Sequence, residues 1–224
     1  MTFCLNAKII KPEDKNINNA VILLHGYGGD GNDIAPVTIN WKRFLPNTIF
    51  ICPDGPETCS INPTGYQWFD LNSEDEEYIT KKALEAEKIL KKFIAEIKNE
   101  FDLLNSNICL SGFSQGCMMS INVGLSEKEK FAGILGFSGK VINKVDLDRR
   151  IFSKPSTLLI HGDQDATVNI NEGIQLHQWI KNSKLYIVKG ADHVFNVKHP
   201  FIYVNSFSKE LTFALEKTVE FLNE

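Results

Sequence analysis

Asn107-Ile108-Cys109-Leu110-Ser111-Gly112-Phe113-Ser114-Gln115-Gly116-Cys117-Met118-Met119 runs from an apolar segment through Gly-x-Ser-x-Gly into a second apolar segment of helical character. A serine at such a strand-to-helix turn stands clear of the sheet, because the flanking glycines carry no side chains to collide across the tight bend. The bland alternative is a glycine-rich turn with an incidental serine. The strand on one side and the helix on the other favour the nucleophile reading, with Ser114 as the candidate.

Outward from this turn, short runs bounded by Gly, Pro, Asp or Asn predict strands at 20–24, 48–52, 107–110, 131–137, 157–160 and 185–188. Between them lie helical patterns at 33–44, 79–101, 115–125, 170–181 and 206–222. The 79–101 helix is the clearest. Ile79, Ala83, Ala86, Leu90, Phe93, Ile97 and Phe101 recur every three or four residues, leaving Lys81, Glu85, Lys88 and Lys92 on the outer face. Ser73-Glu74-Asp75-Glu76 just upstream reads as a capping box. Alternating strands and helices imply βαβ units and a mostly parallel central sheet with helices on both faces. At 224 residues, with no internal repeat or linker, residues 1–224 are expected to form one domain.

A serine hydroxyl is a weak nucleophile at neutral pH. It needs an imidazole base, which in turn needs a carboxylate to hold its tautomer. On a strand–turn–helix elbow the chain order is serine, acid, histidine. Leu158-Leu159-Ile160-His161-Gly162-Asp163-Gln164-Asp165 puts two acids just past a predicted strand, and spacing alone does not choose between them, since one aspartate can simply close the loop. Gly190-Ala191-Asp192-His193 follows the 185–188 strand, so His193 is the candidate base, in competition with His199 before Pro200. Oxyanion donors are expected from the Gln115 N–H, next after the serine, and from the glycine-rich loop His25-Gly26-Tyr27-Gly28-Gly29-Asp30-Gly31, where the Tyr27 N–H is the candidate. His25 itself is read as shaping that loop.

Other chemistries fit less well. The same loop is compatible with Gly-x-Gly-x-x-Gly, but it belongs to a chain already carrying a nucleophile, base and acid in order. The five histidines and five cysteines show neither HExxH nor CxxC spacing, so no metal site and no cofactor are expected. The cysteines read as reduced, small hydrophobes, with Cys117 inside the predicted helix. Net charge is −4 and lysines alternate with glutamates along 81–100, which gives no footprint for nucleic acid. No apolar run reaches the about 20 residues a membrane span needs, and residues 1–15 carry no secretory signature, so the expected location is the cytoplasm.

Five segments together resemble the phospholipase/carboxylesterase family of the α/β-hydrolase fold, which includes acyl-protein thioesterases: Leu24-His25-Gly26-Tyr27-Gly28, Cys52-Pro53-Asp54-Gly55-Pro56, Gln67-Trp68-Phe69-Asp70, Gly112-Phe113-Ser114-Gln115-Gly116 and His161-Gly162-Asp163-Gln164-Asp165. The resemblance implies Asp165 as the acid, Tyr27 and Gln115 as oxyanion donors, and Trp68 and Phe69 beside an acyl pocket. The implied substrates are small-molecule or acylated esters and thioesters. A lactone or C–C hydrolase would use the same triad, and a binding protein of this fold would use neither nucleophile nor base. Residues 194–207 are longer than the corresponding family loop and leave room for an extra element.

Overall fold

Every strand that carries a candidate catalytic residue lies inside one seven-stranded sheet, and each of them points its C-terminal end to the same edge. The computed structural model describes residues 3–12, 16–197 and 207–224. In chain order its elements are β1 (Ala7–Ile10), β2 (Asn19–Leu24), α1 (Gly31–Ile34), α2 (Thr38–Lys42), β3 (Thr48–Pro53), β4 (Glu57–Thr58), β5 (Tyr66–Gln67), α3 (Glu76–Phe101), β6 (Ile108–Phe113), α4 (Gln115–Ser126), β7 (Gly133–Phe137), α5 (Lys144–Asp148), β8 (Thr157–Gly162), α6 (Ile170–Trp179), β9 (Ser183–Val188) and α7 (Lys209–Leu222). The sheet order is β1-β3-β2-β6-β7-β8-β9, with only β1 antiparallel to its neighbour, and β4 and β5 form a separate two-stranded ribbon.

Strand residues alternate between the two faces. Ala20, Ile22, Leu24, Ile49, Ile51, Ile108 and Leu110 pack against Leu90 and Phe93 of α3 and Met119 and Val123 of α4. Val21, Leu23, Phe50 and Cys109 pack on the opposite face, against Ile34, Trp41, Leu211, Ala214 and Leu215 of α1, α2 and α7. Further along, Ile134 and Leu159 cover Cys117 and Ile121 of α4 together with Leu176 of α6. Helices therefore lie on both faces of a mostly parallel sheet, as the alternation of elements implies. Among the described residues no helix is long and apolar enough to cross a membrane.

The elements depart from the sequence reading where side-chain pattern is a poor guide. The long helix begins at Glu76 rather than Ile79, and its N-cap is Asp75, whose carboxylate accepts from the Glu77 and Tyr78 amides; Ser73 instead accepts from the Asp75 amide. The single helix expected over 33–44 is α1, a short 3-10 turn and α2, and Pro36, which contributes no N–H to an α ladder, lies in the 3-10 turn just after α1. Strand β1, the β4–β5 ribbon and α5 lie outside the elements that the sequence pattern predicts.

Candidate active site

At the end of β6 the backbone of Ser114 has φ 53° and ψ −114°, a conformation a side chain rarely adopts. The glycines on either side make it possible. A Cβ on Gly112 would stand 2.2 Å from the carbonyl of Gly116, and one on Gly116 would stand 2.2 Å from the carbonyl oxygen of Leu24. The turn thus folds the start of α4 directly onto the ends of β6 and β2, and any larger residue at either glycine would force them apart. The Ser114 amide donates to the Phe137 carbonyl (2.8 Å), anchoring the turn on the next strand.

Ser114 Oγ lies 3.0 Å from His193 Nε2, and His193 Nδ1 lies 2.8 Å from Asp165 Oδ2. A buried carboxylate can only accept, so Nδ1 carries the proton and Nε2 is left with a lone pair facing the serine hydroxyl. The Asp165 side chain is fully buried, and its Oδ1 accepts from the amides of Thr167 (2.9 Å) and Val168 (2.8 Å). His193 stands in a turn built by its neighbours: Asp192 Oδ1 accepts from the Val194 and Asn196 amides, and Asn196 Oδ1 accepts from the Asp192 amide. Phe195 and Asn196 take positive φ to close this turn, the Ser138 hydroxyl donates to the His193 carbonyl (2.9 Å), and the Phe113 ring lies 4.9 Å from the imidazole.

The competing acid has a different occupation. Asp163 Oδ1 accepts from the Gly190 amide at 2.6 Å, clasping the loop after β8 to the loop after β9, and it makes no contact with His193. The competing histidine, His199, lies outside the described residues, as do residues 198–206 of the long 194–207 segment.

The two loops expected to supply oxyanion donors are neighbours because β2 and β6 are paired, with Leu24 opposite Gly112. Gln115 is the first residue of α4, so its amide is among those a helix leaves without an internal acceptor. Tyr27 lines the cavity that Ser114 and His193 share. His25 holds the loop in shape. Its Nε2 accepts from the Gly55 amide (2.8 Å), which puts the ring proton on Nδ1 facing the Gly26 carbonyl (2.7 Å). Burial pushes its pKa below the ordinary value of about 6.5, against smaller opposing effects of the Gly26 carbonyl and Asp54. An unfolded chain would take up that proton below pH 6.5 while the folded one resists it, so this group costs stability as pH falls through that range. In an NMR titration the His25 ring should therefore stay neutral below pH 6.5; titration at or above that value would mean that the buried bond to Gly55 does not form.

Trp68 and Phe69 are not where the resemblance implied. Each is only 1% exposed, both pack in the core with α3 and α4, and neither borders the cavity. They form a strut between the two loops expected to supply oxyanion donors. Gln115 Oε1 accepts from the Trp68 amide (2.9 Å), Gln115 Nε2 donates to the Phe69 carbonyl (2.7 Å), and the Trp68 indole N–H donates to the His25 carbonyl (3.0 Å). With both Oε1 and Nε2 hydrogen-bonded, the Gln115 side chain can be buried although it is polar.

The cavity itself is about 870 Å³. Ile34, Val37, Phe137, Phe195, Leu211 and Leu215 pack together as an apolar wall, and Asp30, Asn62, Thr64 and Thr167 also line the cavity. The sequence reading missed this wall because its residues come from four separated segments that meet only after α1, α2 and α7 pack on one sheet face. Burial pushes the Cys117 thiol, beneath the elbow, up to about 12, which keeps it protonated and a poor nucleophile at neutral pH.

An elbow serine on a largely parallel sheet, with histidine and aspartate on the loops after later strands, defines the class as α/β-hydrolase. The chain belongs to the phospholipase/carboxylesterase family, whose model matches residues 5–214. It is similar to acyl-protein thioesterase 1 of Schizosaccharomyces pombe, 31% identical over 148 residues that cover 62% of this chain and 63% of that protein. It is also similar to acyl-protein thioesterase 1 of Emericella nidulans, 28% identical over 84% of this chain and 90% of that protein. Among solved structures, that of esterase PE8 superposes with a TM-score of 0.86 at 30% identity, covering 98% of both chains. The chain is accordingly a hydrolase of the carboxylesterase and thioesterase type.

Proposed function

We propose that the chain, acting as one domain, cleaves carboxylic esters or thioesters through an acyl-Ser114 intermediate. The observation that carries this reading is the continuous line Ser114 Oγ, His193, Asp165 at 3.0 and 2.8 Å, opening into a cavity with an apolar wall. In acylation His193 Nε2 takes the hydroxyl proton as Oγ attacks the carbonyl carbon, and the resulting oxyanion is held by the Tyr27 and Gln115 amides. The imidazolium then gives its proton to the departing alcohol or thiol. Deacylation repeats the sequence with water as nucleophile, releasing the acid and restoring the serine. The scheme draws on no cofactor or metal. A cytoplasmic location goes with this reading; five free cysteines, four of them buried, support a reducing compartment.

The acyl chain is assigned to the apolar wall. Burying each methylene contributes about 0.8 kcal/mol, so kcat/KM on a graded series of p-nitrophenyl esters should rise up to roughly fourfold per methylene until the cavity is filled. Val37→Phe narrows that wall and should lower kcat/KM for the longer esters by roughly tenfold relative to the acetate. A series that is flat in the wild type, or one that Val37→Phe scales uniformly, would place the chain somewhere else.

A further inference from the structure

Asp165 is flanked by a second imidazole that the mechanism above does not use. His161, on β8, is 2% exposed, and its Nε2 lies 2.8 Å from the Val168 carbonyl oxygen and 3.2 Å from Asp165 Oδ2. Both neighbours are acceptors, so the proton of a neutral His161 must be on Nε2, where it bonds the Val168 carbonyl and turns its positive edge toward the carboxylate. The opposite side of the ring is closed. A Cβ on Gly173 of α6 would stand 2.7 Å from His161 Nδ1, so the helix passes against the imidazole with room for glycine alone.

The contacts form a closed frame around the acid. Val168 gives its amide to Asp165 Oδ1 at 2.8 Å and its carbonyl to His161, so one imidazole fixes the turn that holds one carboxylate oxygen while facing the other oxygen itself. Without it, Oδ2 would keep His193 as its single donor in a site with no water access, and the Val168 carbonyl would be left unpaired. A carboxylate free to rotate there would carry the His193 ring away from Ser114, and errors of about 1 Å in such a line cost up to about a hundredfold in rate.

We infer that His161 is a positioning residue of the acid, holding the Asp165 carboxylate in line with His193 through Nε2. This rests on the triad reading proposed above. The test compares kcat and KM on a short ester, with thermal melts, for wild type, His161→Leu, His161→Gln, Gly173→Ala and Ser114→Ala. His161→Leu removes the donor and should lower kcat about tenfold to a hundredfold with KM within about twofold. His161→Gln places an amide N–H near the same point and should recover most of that loss. Gly173→Ala keeps the histidine but pushes its ring, so kcat should fall although alanine is the better helix former.

A His161→Leu enzyme with wild-type kcat, or Leu and Gln variants equally impaired, would overturn the assignment. If the Leu variant does not fold, Gly173→Ala decides: wild-type kcat in that variant overturns it, and reduced kcat without a lower melting point upholds it. Ser114→Ala separates the two levels. Turnover persisting there removes the triad reading itself, whereas a dead Ser114→Ala beside undisturbed His161 and Gly173 variants removes only the role of His161.

Discussion

Ser114→Ala is expected to lower ester turnover by a factor on the order of 10⁴ to 10⁶ while leaving the melting temperature near that of the wild type. The size follows from the chemistry. With no Oγ there is no acyl-enzyme, so any residual rate must come from water attacking a substrate held only by binding and by the proposed Tyr27 and Gln115 amides. The stability follows from the fold, because Ser114 Oγ makes its hydrogen bond to His193 and to no group of the core. Ser114 already occupies a positive-φ position, which costs alanine no more than it costs serine. Labelling with a fluorophosphonate is the independent check: the wild type should react at Ser114 and the variant should not react. Near-wild-type turnover in the variant, or labelling at another residue, would mean that the nucleophile has been misassigned.

The sequence revealed the site unevenly, and the reasons are local. Gly112 and Gly116 are legible because close backbone contact forces glycine at both, which marks the Ser114 between them, and the apolar runs on either side place the turn between a strand and a helix. His193 is legible because it falls on the loop after a strand that ends at the ligand-binding edge of the sheet. Asp163 and Asp165 are not separable in this way: both follow β8, and what distinguishes them is that one turns inward to His193 and the other outward to Gly190. The roles of Trp68 and Phe69 were hidden for a different reason. Aromatic residues near a motif announce bulk, but whether that bulk walls a cavity or braces two loops depends on a hydrogen-bond partner 47 residues away, Gln115. His161 enters the sequence reading only within the His161–Asp165 segment, with no role of its own, although His and Asp four apart across a glycine turn is a spacing that can bring the two together. Strand β1 escaped because its edge position leaves residues half-exposed on both sides, so neither continuous burial nor clean alternation marks it.

Asp165→Asn should lower kcat by about 10⁴, the cost that this change carries in a serine protease triad, where it favours the wrong imidazole tautomer. The contacts here make the loss hard to escape. One oxygen of Asp165 faces the Thr167 and Val168 amides, and the other faces His193 and the proton edge of His161. An asparagine NH₂ group therefore meets N–H donors in either orientation. Turned toward His193, it makes Nδ1 the acceptor and moves the ring proton to Nε2, which can then no longer accept from Ser114. Turned toward the amides, it opposes two buried backbone donors at a cost of about 1–3 kcal/mol, which melting would register. Asp163→Asn is the contrasting case: asparagine keeps an oxygen for the Gly190 amide, so the clasp survives and kcat should remain within roughly tenfold of wild type. His193→Gln should match Ser114→Ala, since members of one triad fail as a unit, while His199→Gln should stay within roughly tenfold. Should Asp163→Asn prove the inactive variant and Asp165→Asn the active one, the acid would have to reach His193 by a different path from the 2.8 Å bond described here.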